Sequence, residues 1–543
     1  MEQIRLILIV ALVFTSFQLW EAWHKDYPPP LVPNLAPITE YAPPPLASPT
    51  ASVPPEHLAV PTSESAPTTT ATVITAKSDL LTLNISSTGG TITSATLLAY
   101  PVNTHQGAPA VELLGTDSTR LFLQESGLTG AIDLPTHHST FTADADAYVL
   151  ADDADKLDIP LHWIGANGTT VEKHIILERG SYVVTIEYVI NNPATATAPV
   201  QARLYAQLKR NDESSLRGMV YTFTGPALST PAKRFEKFNF DQIEDTPIAE
   251  TATDAWIGII QHYFVAALIP PSGAPTQFYA KVLDDQHYVV GFQSPPLEIA
   301  PAETRKLATR LYIGPKRHDI ISTVAPGLEL SVDFGALWFI AKPLFLALGY
   351  FKELTGNWGW AILVVTFLLK LLFFPLSAAG YRSMAKMRKV QPRMLTMRDR
   401  YKDDRAALNQ AMMKLYKDEK INPLGGCFPI LIQIPVFIAL YWVLLESVEM
   451  RQAPFILWVH DLSERDPYFV LPLLMGISMW AQQKLNPAPI DPMQAKVMQV
   501  MPIVFTAFFA FFPSGLVLYW FINNMLSIAQ QWQITRTIDA ASS

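Results

Sequence analysis

The sequence predicts a membrane protein in two folded parts. One is an all-α core of five transmembrane helices with an N-terminal transmembrane anchor and a helical hairpin on one side. The other is a large all-β sandwich domain on the opposite side. Three observations predict this. Long apolar runs crowd the last 210 residues or so, with one more at the N-terminus. Period-two alternation with Gly, Pro and Asn breaks fills the stretch between them. A dense cluster of Arg and Lys separates two of the apolar runs and sets an orientation.

Composition agrees. Of the 543 residues 49% are hydrophobic and only 16% charged, and mean hydropathy is +0.18. The net charge of −8 argues against a general nucleic-acid binder, so no direct nucleic-acid readout is expected. The single cysteine, Cys427, rules out an internal disulfide.

Residues 1–27 form the expected anchor. IRLILIVALVFTSFQLW (Ile4–Trp20) is about long enough to span a bilayer, and the Trp-Glu-Ala-Trp-His after it offers no small-x-small cleavage site. Residues 28–72, rich in Pro, Ala, Ser and Thr, read as an extended tether that cannot bury a core. From residue 73 to 327 the pattern is that of an antiparallel sandwich. SYVVTIEYVI alternates Tyr182, Val184, Ile186, Tyr188 and Ile190 against Val183, Thr185, Glu187 and Val189, and Asn191-Asn192-Pro193 stops it. The scattered histidines show no metal spacing, and no nucleophile motif or phosphate loop appears; no catalytic residue, metal or cofactor is assigned.

Residues 328–357 contain FGALWFIAKPLFLALGYF, whose Lys342-Pro343 interruption suits an amphipathic helix lying in the interface. The five-helix core is placed at 358–533. Its first span starts at Trp358 and is expected to continue through Pro375 to about Tyr381; Phe428–Leu445, Tyr468–Trp480, Val497–Phe512 and Leu516–Ile528 follow. Between Leu376 and Cys427 stand six Arg and six Lys against five acids, a net of 12 − 5 = +7, which marks the cytoplasmic side. The loop from Ser447 to Pro467, with two Arg and four acids, then lies outside with the sandwich, and both termini lie inside. Residues 382–420 read as two short amphipathic helices in a hairpin. Arg382, Met384, Lys386, Met387, Arg388 and Arg393 give it a basic, Met-rich character. Two readings stay open: a solvated face near anionic lipid headgroups, or a soft surface that repacks around varied partners. Residues 534–543 are a short tail.

The candidate functional charge is Lys370, inside VVTFLLKLLFFP (Val364–Pro375). On a continuous helix it lies roughly 18 Å from both Trp358 and Arg382, near mid-depth. A charge there costs on the order of 3 kcal/mol. Either it snorkels to the headgroups, or it faces a hydrated pocket. The other spans offer no Asp or Glu at their centres. The possible pocket lining is therefore uncharged: Thr366, Gln433, Gln482, Gln483, Tyr519, Asn523 and Asn524.

NWGWAILVVTF, YRSMAKMRKVQPRM, NPLGGCFPILIQIPVFIALYWVL, RQAPFILWVHDLSERDPYFVLPLLMG and FFPSGLVLYWFINN resemble the YidC membrane-protein insertases. The similarity covers Asp333 to about Gln533, and the whole layout resembles the Gram-negative form with its large periplasmic domain. The resemblance implies an inner-membrane insertase and chaperone without bond chemistry. It would act alone and with the Sec translocon and its accessory subunits on nascent membrane proteins, through a hydrophilic groove carrying one positive charge. Lys370 matches the family's groove arginine, keeping the charge but not the planar five-donor fork. Thr366 and Trp520 match substrate-contacting positions, with Trp520 standing where relatives carry tyrosine. Gln433 matches a polar groove position, and Tyr519 and Asn523 complete the candidate lining. The hairpin matches the mobile hairpin that the family needs. Relatives carry a long basic tail for ribosomes; only Arg536 follows Gln533 here, so ribosome contact is expected to be weak. The alternative is a small-solute transporter or channel with a periplasmic sensing domain, against which stands the lack of paired repeats with broken helices.

Overall fold

The computed structural model describes residues 71–540 apart from 118–119, 131–133, 197, 212–221, 285–286, 402–403, 420–427 and 487–491. The expected anchor, and all of the tether but its last two residues, lie outside the described residues.

Strands run from Val73–Lys77 to Thr304–Pro315, and among the described residues they form two sheets of eleven and nine strands. Val183–Asn191 pairs antiparallel with both Thr304–Pro315 and Thr170–Glu178. Its expected inward set, Tyr182, Val184, Ile186, Tyr188 and Ile190, is buried, because period two puts alternate side chains on one face. Pairing ends at Asn191. The Asn192 amide turns inward and donates to the carbonyls of Ala198 and Ile299 at 3.3 and 3.0 Å. Pro193 has no N–H to extend a ladder. Leu83, Phe122, Ile175, Leu204 and Phe292 from the two sheets share one core. Each such side chain contributes about 1.5–3 kcal/mol by leaving water.

One inward position breaks the apolar rule. Lys173 alternates with Val171, Ile175 and Leu177 and is fully buried. Its Nζ donates to the carbonyls of Gly89 and Gly90 at 2.9 and 2.8 Å and to Ser126 Oγ at 2.9 Å. The turn that aims those carbonyls needs glycine: Gly89 has φ +70°, and a Cβ there would lie 2.3 Å from the His137 oxygen. Burial lowers the Lys173 ammonium to about 7.

Two short helices, α1 (Phe240–Asp245) and α2 (His318–Val324), belong to the sandwich end. The helical region follows as α3 (Trp338–Thr355), α4 (Trp358–Leu372), α5 (Phe374–Arg400), α6 (Arg405–Asp418), α7 (Phe428–Glu446), α8 (Val470–Leu485), α9 (Pro492–Phe509) and α10 (Ser514–Ala540). Residues 534–540 therefore continue α10 rather than forming a separate tail. Among the described residues no single helix is long and apolar enough to cross a membrane; α4 and α5 are so together, across a bend.

That bend corrects one expectation. The helix from Trp358 does not run on to Tyr381. It stops at Leu372, and α5 leaves at 66°. Pro375 sits in the first turn of α5, where its missing N–H costs nothing. Lys370 is thus in the last turn of α4. Beyond it the chain reaches Arg382 after advancing on the order of 10 Å along the α4 axis, not 18 Å. The hairpin expectation changes with it: its first arm is the C-terminal part of a 27-residue helix.

Asn357 starts α4. Its side-chain oxygen accepts from the N–H groups of Gly359 and Trp360 at 2.8 and 3.3 Å, and its amide donates to Pro454 O at 2.9 Å. Ala341, Leu344 and Leu348 on α3 pack against Ile362, Val365, Leu440 and Leu444, while Trp338, Leu346 and Tyr350 stay exposed. Pro513-Ser514-Gly515 turns α9 back into α10, held by the Ser514 and Gly515 N–H groups on Glu464 O and Leu462 O. The sandwich meets the helices through Lys316 and Glu446 at 3.0 Å, and through His262 Nε2 donating to Leu445 O at 2.7 Å. Arg451 and Gln452 also donate to Pro101 O at 2.7 and 2.8 Å.

Candidate functional site

The site grows from three helices. On α10, Tyr519, Asn523 and Ser527 recur every four residues and so share one face. On α4, Thr366 and Lys370 are likewise one turn apart. Gln433 on α7 closes the triangle. Lys370 Nζ donates to Ser527 Oγ at 2.7 Å and makes a longer contact of 3.5 Å with Gln433 Oε1. The Gln433 amide donates to Tyr519 Oη at 2.9 Å and to Asn523 Oδ1 at 2.5 Å. Ser527 Oγ in turn donates to Asn523 O at 2.7 Å. Thr366 is buried, and its hydroxyl donates to Ile362 O of its own helix at 2.6 Å.

The ammonium is therefore held by neutral acceptors. It also sits where the last carbonyls of α4 point their negative ends, a placement favourable to a cation. Thr366, Lys370, Ser377, Gln433, Tyr519 and Asn523 line one cavity of about 20 Å³, counted as space open to the centre of a water molecule. That is room for one or two waters. A positive charge facing a small cavity can attract a carboxylate or a backbone carbonyl. Among the described residues no titratable side chain hydrogen-bonds it, so it is poorly built for relaying protons.

The comparisons bear on the whole chain. Residues 73–347 match the YidC periplasmic domain and residues 350–541 match the family described as 60Kd inner membrane protein. The membrane protein insertase YidC of Methylococcus capsulatus is 47% identical across 99% of this chain and 99% of its own. That of Nitrosococcus oceani is 45% identical over 99% of both. That of Pseudomonas fluorescens is 42% identical over 99% of this chain and 98% of its own. The chain belongs to the YidC family of membrane protein insertases.

Of the candidate groove residues read from the sequence and from the resemblance to this family, Lys370, Thr366, Gln433, Tyr519 and Asn523 come together. Trp520 does not join them. One residue on from Tyr519 it faces about 100° away. There it packs on Phe437, Phe509 and Phe505 with ring centroids at 4.6, 5.3 and 6.5 Å. Of the other polar candidates, Gln483 bonds Met498 O, and Asn524 donates to Ser478 Oγ at 3.1 Å. Ser527 was missed as a partner, although the four-residue spacing from Tyr519 and Asn523 signals it.

In the hairpin, Met387, Met394, Met397 and Met412 pack with Val390, Leu415 and Tyr416 between α5 and α6. These methionines fill the hairpin's own interior, so the soft surface offered to partners is smaller than the composition suggests; Met413 is exposed. Arg382, Lys386, Arg388 and Arg393 are exposed, Arg393 pairing with Glu419 at 2.7 Å, and Met384 is half-buried. Among the described residues no group of three or more His, Cys, Asp or Glu side chains is placed to hold a metal.

Proposed function

We propose that this protein inserts nascent membrane proteins into the bacterial inner membrane and assists their folding, alone and beside the Sec translocon. The site that does so is the Lys370 cluster. In this reading α4, with α7, α8, α9 and α10, forms the five-helix core. The sandwich is periplasmic and both termini are cytoplasmic, as the basic hairpin and the acidic outer loop support. No bond is made or broken. A polar segment of the client meets water and one cation part-way across, so a shorter apolar path remains.

The observation that carries the reading is that Lys370, on an otherwise apolar helix, is met by Ser527, Gln433 and, through Gln433, Tyr519 and Asn523 rather than by a carboxylate. A stored ion pair would have to be broken for each client; a cation on neutral acceptors can exchange them.

The test is insertion of a model membrane protein by the reconstituted chain. Lys370→Arg is expected to keep activity, Lys370→Ala to lower it and Lys370→Glu to lower it further. A photocrosslinker at Gln433 is expected to capture a stalled nascent membrane protein. Full activity of Lys370→Glu together with no crosslink would overturn the reading in favour of a small-solute transporter.

A further inference from the structure

Where the sandwich meets the helices a second cavity opens. It measures about 310 Å³ on the scale that gives 20 Å³ at Lys370. Clefts that hold a ligand span roughly 300–1,000 Å³. The sandwich lines it with Val102 and with His262, from the turn between the strands Trp256–Ile260 and Phe264–Ile269. The link from α7 to α8 supplies Arg451, Gln452, Asp461, Glu464 and Arg465, and the helix ends supply Leu445 and Pro513. Two cations and two anions leave this lining without net charge, because burial lowers the His262 imidazole and keeps it neutral. His262 Nε2 donates to Leu445 O, so Nδ1 is left as an acceptor. Arg451 is engaged by the carbonyls of Pro101 and Val102 at 2.7 and 3.1 Å, and Asp461 Oδ1 by Ser463. Glu464 and Arg465 are exposed and form no ion pair among the described residues. Gln452 holds φ +57°, left-handed backbone that a non-glycine residue keeps only where its surroundings impose it; its amide is anchored on Pro101 O at 2.8 Å.

Position and chemistry together supply the occupant. The cavity and the Lys370 cluster share two helices. On α7, Gln433 and Leu445 are about 18 Å apart, and on α10 Asn523 lies about 15 Å beyond Pro513. The two sites are not one channel. The rings of Tyr441, Phe509 and Phe512 pack between them, with Tyr441 and Phe509 centred 5.9 and 5.2 Å from Phe512. The match of residues 73–347 to the YidC periplasmic domain puts the cavity on that domain's side. The distance from the cluster corresponds to about five residues of extended chain. A phosphate or a lone carboxylate would call for a net positive wall. A neutral wall that offers donors and acceptors together suits extended peptide backbone, in which N–H and C=O groups alternate.

We propose that this cavity receives the polar end of a client polypeptide on the side of the periplasmic domain and holds it extended while the apolar segment behind it settles. This rests on the insertase reading of the Lys370 cluster. Exposed wall charges of both signs, Glu464 and Arg465, let the cavity take basic and acidic ends alike.

The experiment uses the full chain in proteoliposomes, with a photocrosslinker at half-exposed Val102 on the sandwich wall or at Gln433 in the groove. The client is a stalled single-span membrane protein with a polar amino-terminal tail of about ten residues, long enough to reach from one site to the other. One version of the tail carries a pair of aspartates, the other a pair of lysines. Both tails are expected to crosslink to Val102. Glu464→Lys should raise capture of the acidic tail and lower that of the basic tail, each by about threefold, and Arg465→Glu should do the reverse. Equal capture of both tails in both variants would mean mere nearness and overturn the site. Capture at Gln433 without capture at Val102 would overturn the cavity proposal alone. Capture at neither would remove the insertase reading of the groove, and this proposal with it. Crosslinking of Val102 to phospholipid in place of the client would also overturn the proposal, assigning the cavity to a lipid headgroup.

Discussion

Lys316 Nζ lies 3.0 Å from Glu446 Oε2, and the two side chains are 2% and 7% exposed. The cation follows the last strand of the sandwich; the acid is the last residue of α7, the helix that carries Gln433. Lys316 also donates to Ser331 O at 3.2 Å. The periplasmic domain is thus fastened to the helix that carries Gln433 by a buried pair. Removing one member strands the other charge, at a cost of about 3–5 kcal/mol, whereas an apolar pair of similar volume is near neutral. Glu446→Gln is therefore expected to lower the unfolding midpoint of the full chain strongly. Lys316→Met/Glu446→Leu should restore most of it. Equal losses in the single and double variants would disprove the pairing.

Ser527 is the shortest hydrogen-bond partner of Lys370. Ser527→Ala leaves the ammonium with only the 3.5 Å contact to Gln433. A bond to a charged group is worth about 1.5–3 kcal/mol, part of which water in the cavity can replace. The expected outcome in the reconstituted assay is slower insertion, but faster than that of Lys370→Ala. Ser527→Thr, which keeps the hydroxyl, should stay close to the parent. If Ser527→Ala and the parent insert at one rate, the serine plays no part.

The sandwich should show a pH dependence traceable to Lys173. Its folded value is lowered to about 7 by burial, while the unfolded lysine keeps its usual 10.5. Between these values the unfolded chain binds the extra proton, so stability rises with pH from about 7 toward 10. Buried Tyr182, raised to about 12, gives the opposite slope above 10, which limits the window. His137, lowered to about 4 by burial against the opposing pull of Glu125, adds a second rise between about 4 and 6.5. Thermal unfolding across pH 7–9.5 checks the first. Lys173→Met should flatten that slope and leave the one below 6.5; an unaltered slope in the variant would assign the effect elsewhere.

How much was legible follows from how far each signal reaches along the chain. The strand expected over Ser181–Ile190 was legible to within two residues of the observed Val183–Asn191, and its inward face was legible outright, because period two and a terminating Asn-Pro are local properties of the backbone. The oddity of Lys370 was legible from hydropathy alone. The end of α4 was not. Pro375 reads equally well as a kink within one helix or as the first turn of the next, and the packing of α10 beside both helices goes with the second. Trp520 was expected beside Tyr519 in the groove. Its position one residue on turns it toward the Phe437–Phe509 rings, a consequence of which helices flank α10.

Local order in the chain thus decided the inward faces of the strands, the charge within an apolar helix, and the basic hairpin on which the proposed orientation rests. Those depend on the periodicity of covalently neighbouring side chains and on the bilayer's aversion to charge. The tertiary structure alone decided that Lys370 meets Ser527, 157 positions away, and that Lys316 meets Glu446, 130 positions away. The four-residue spacing puts Ser527 on the face of Tyr519 and Asn523, but which helix that face meets is set by how helices and sheets pack to exclude water over the whole molecule.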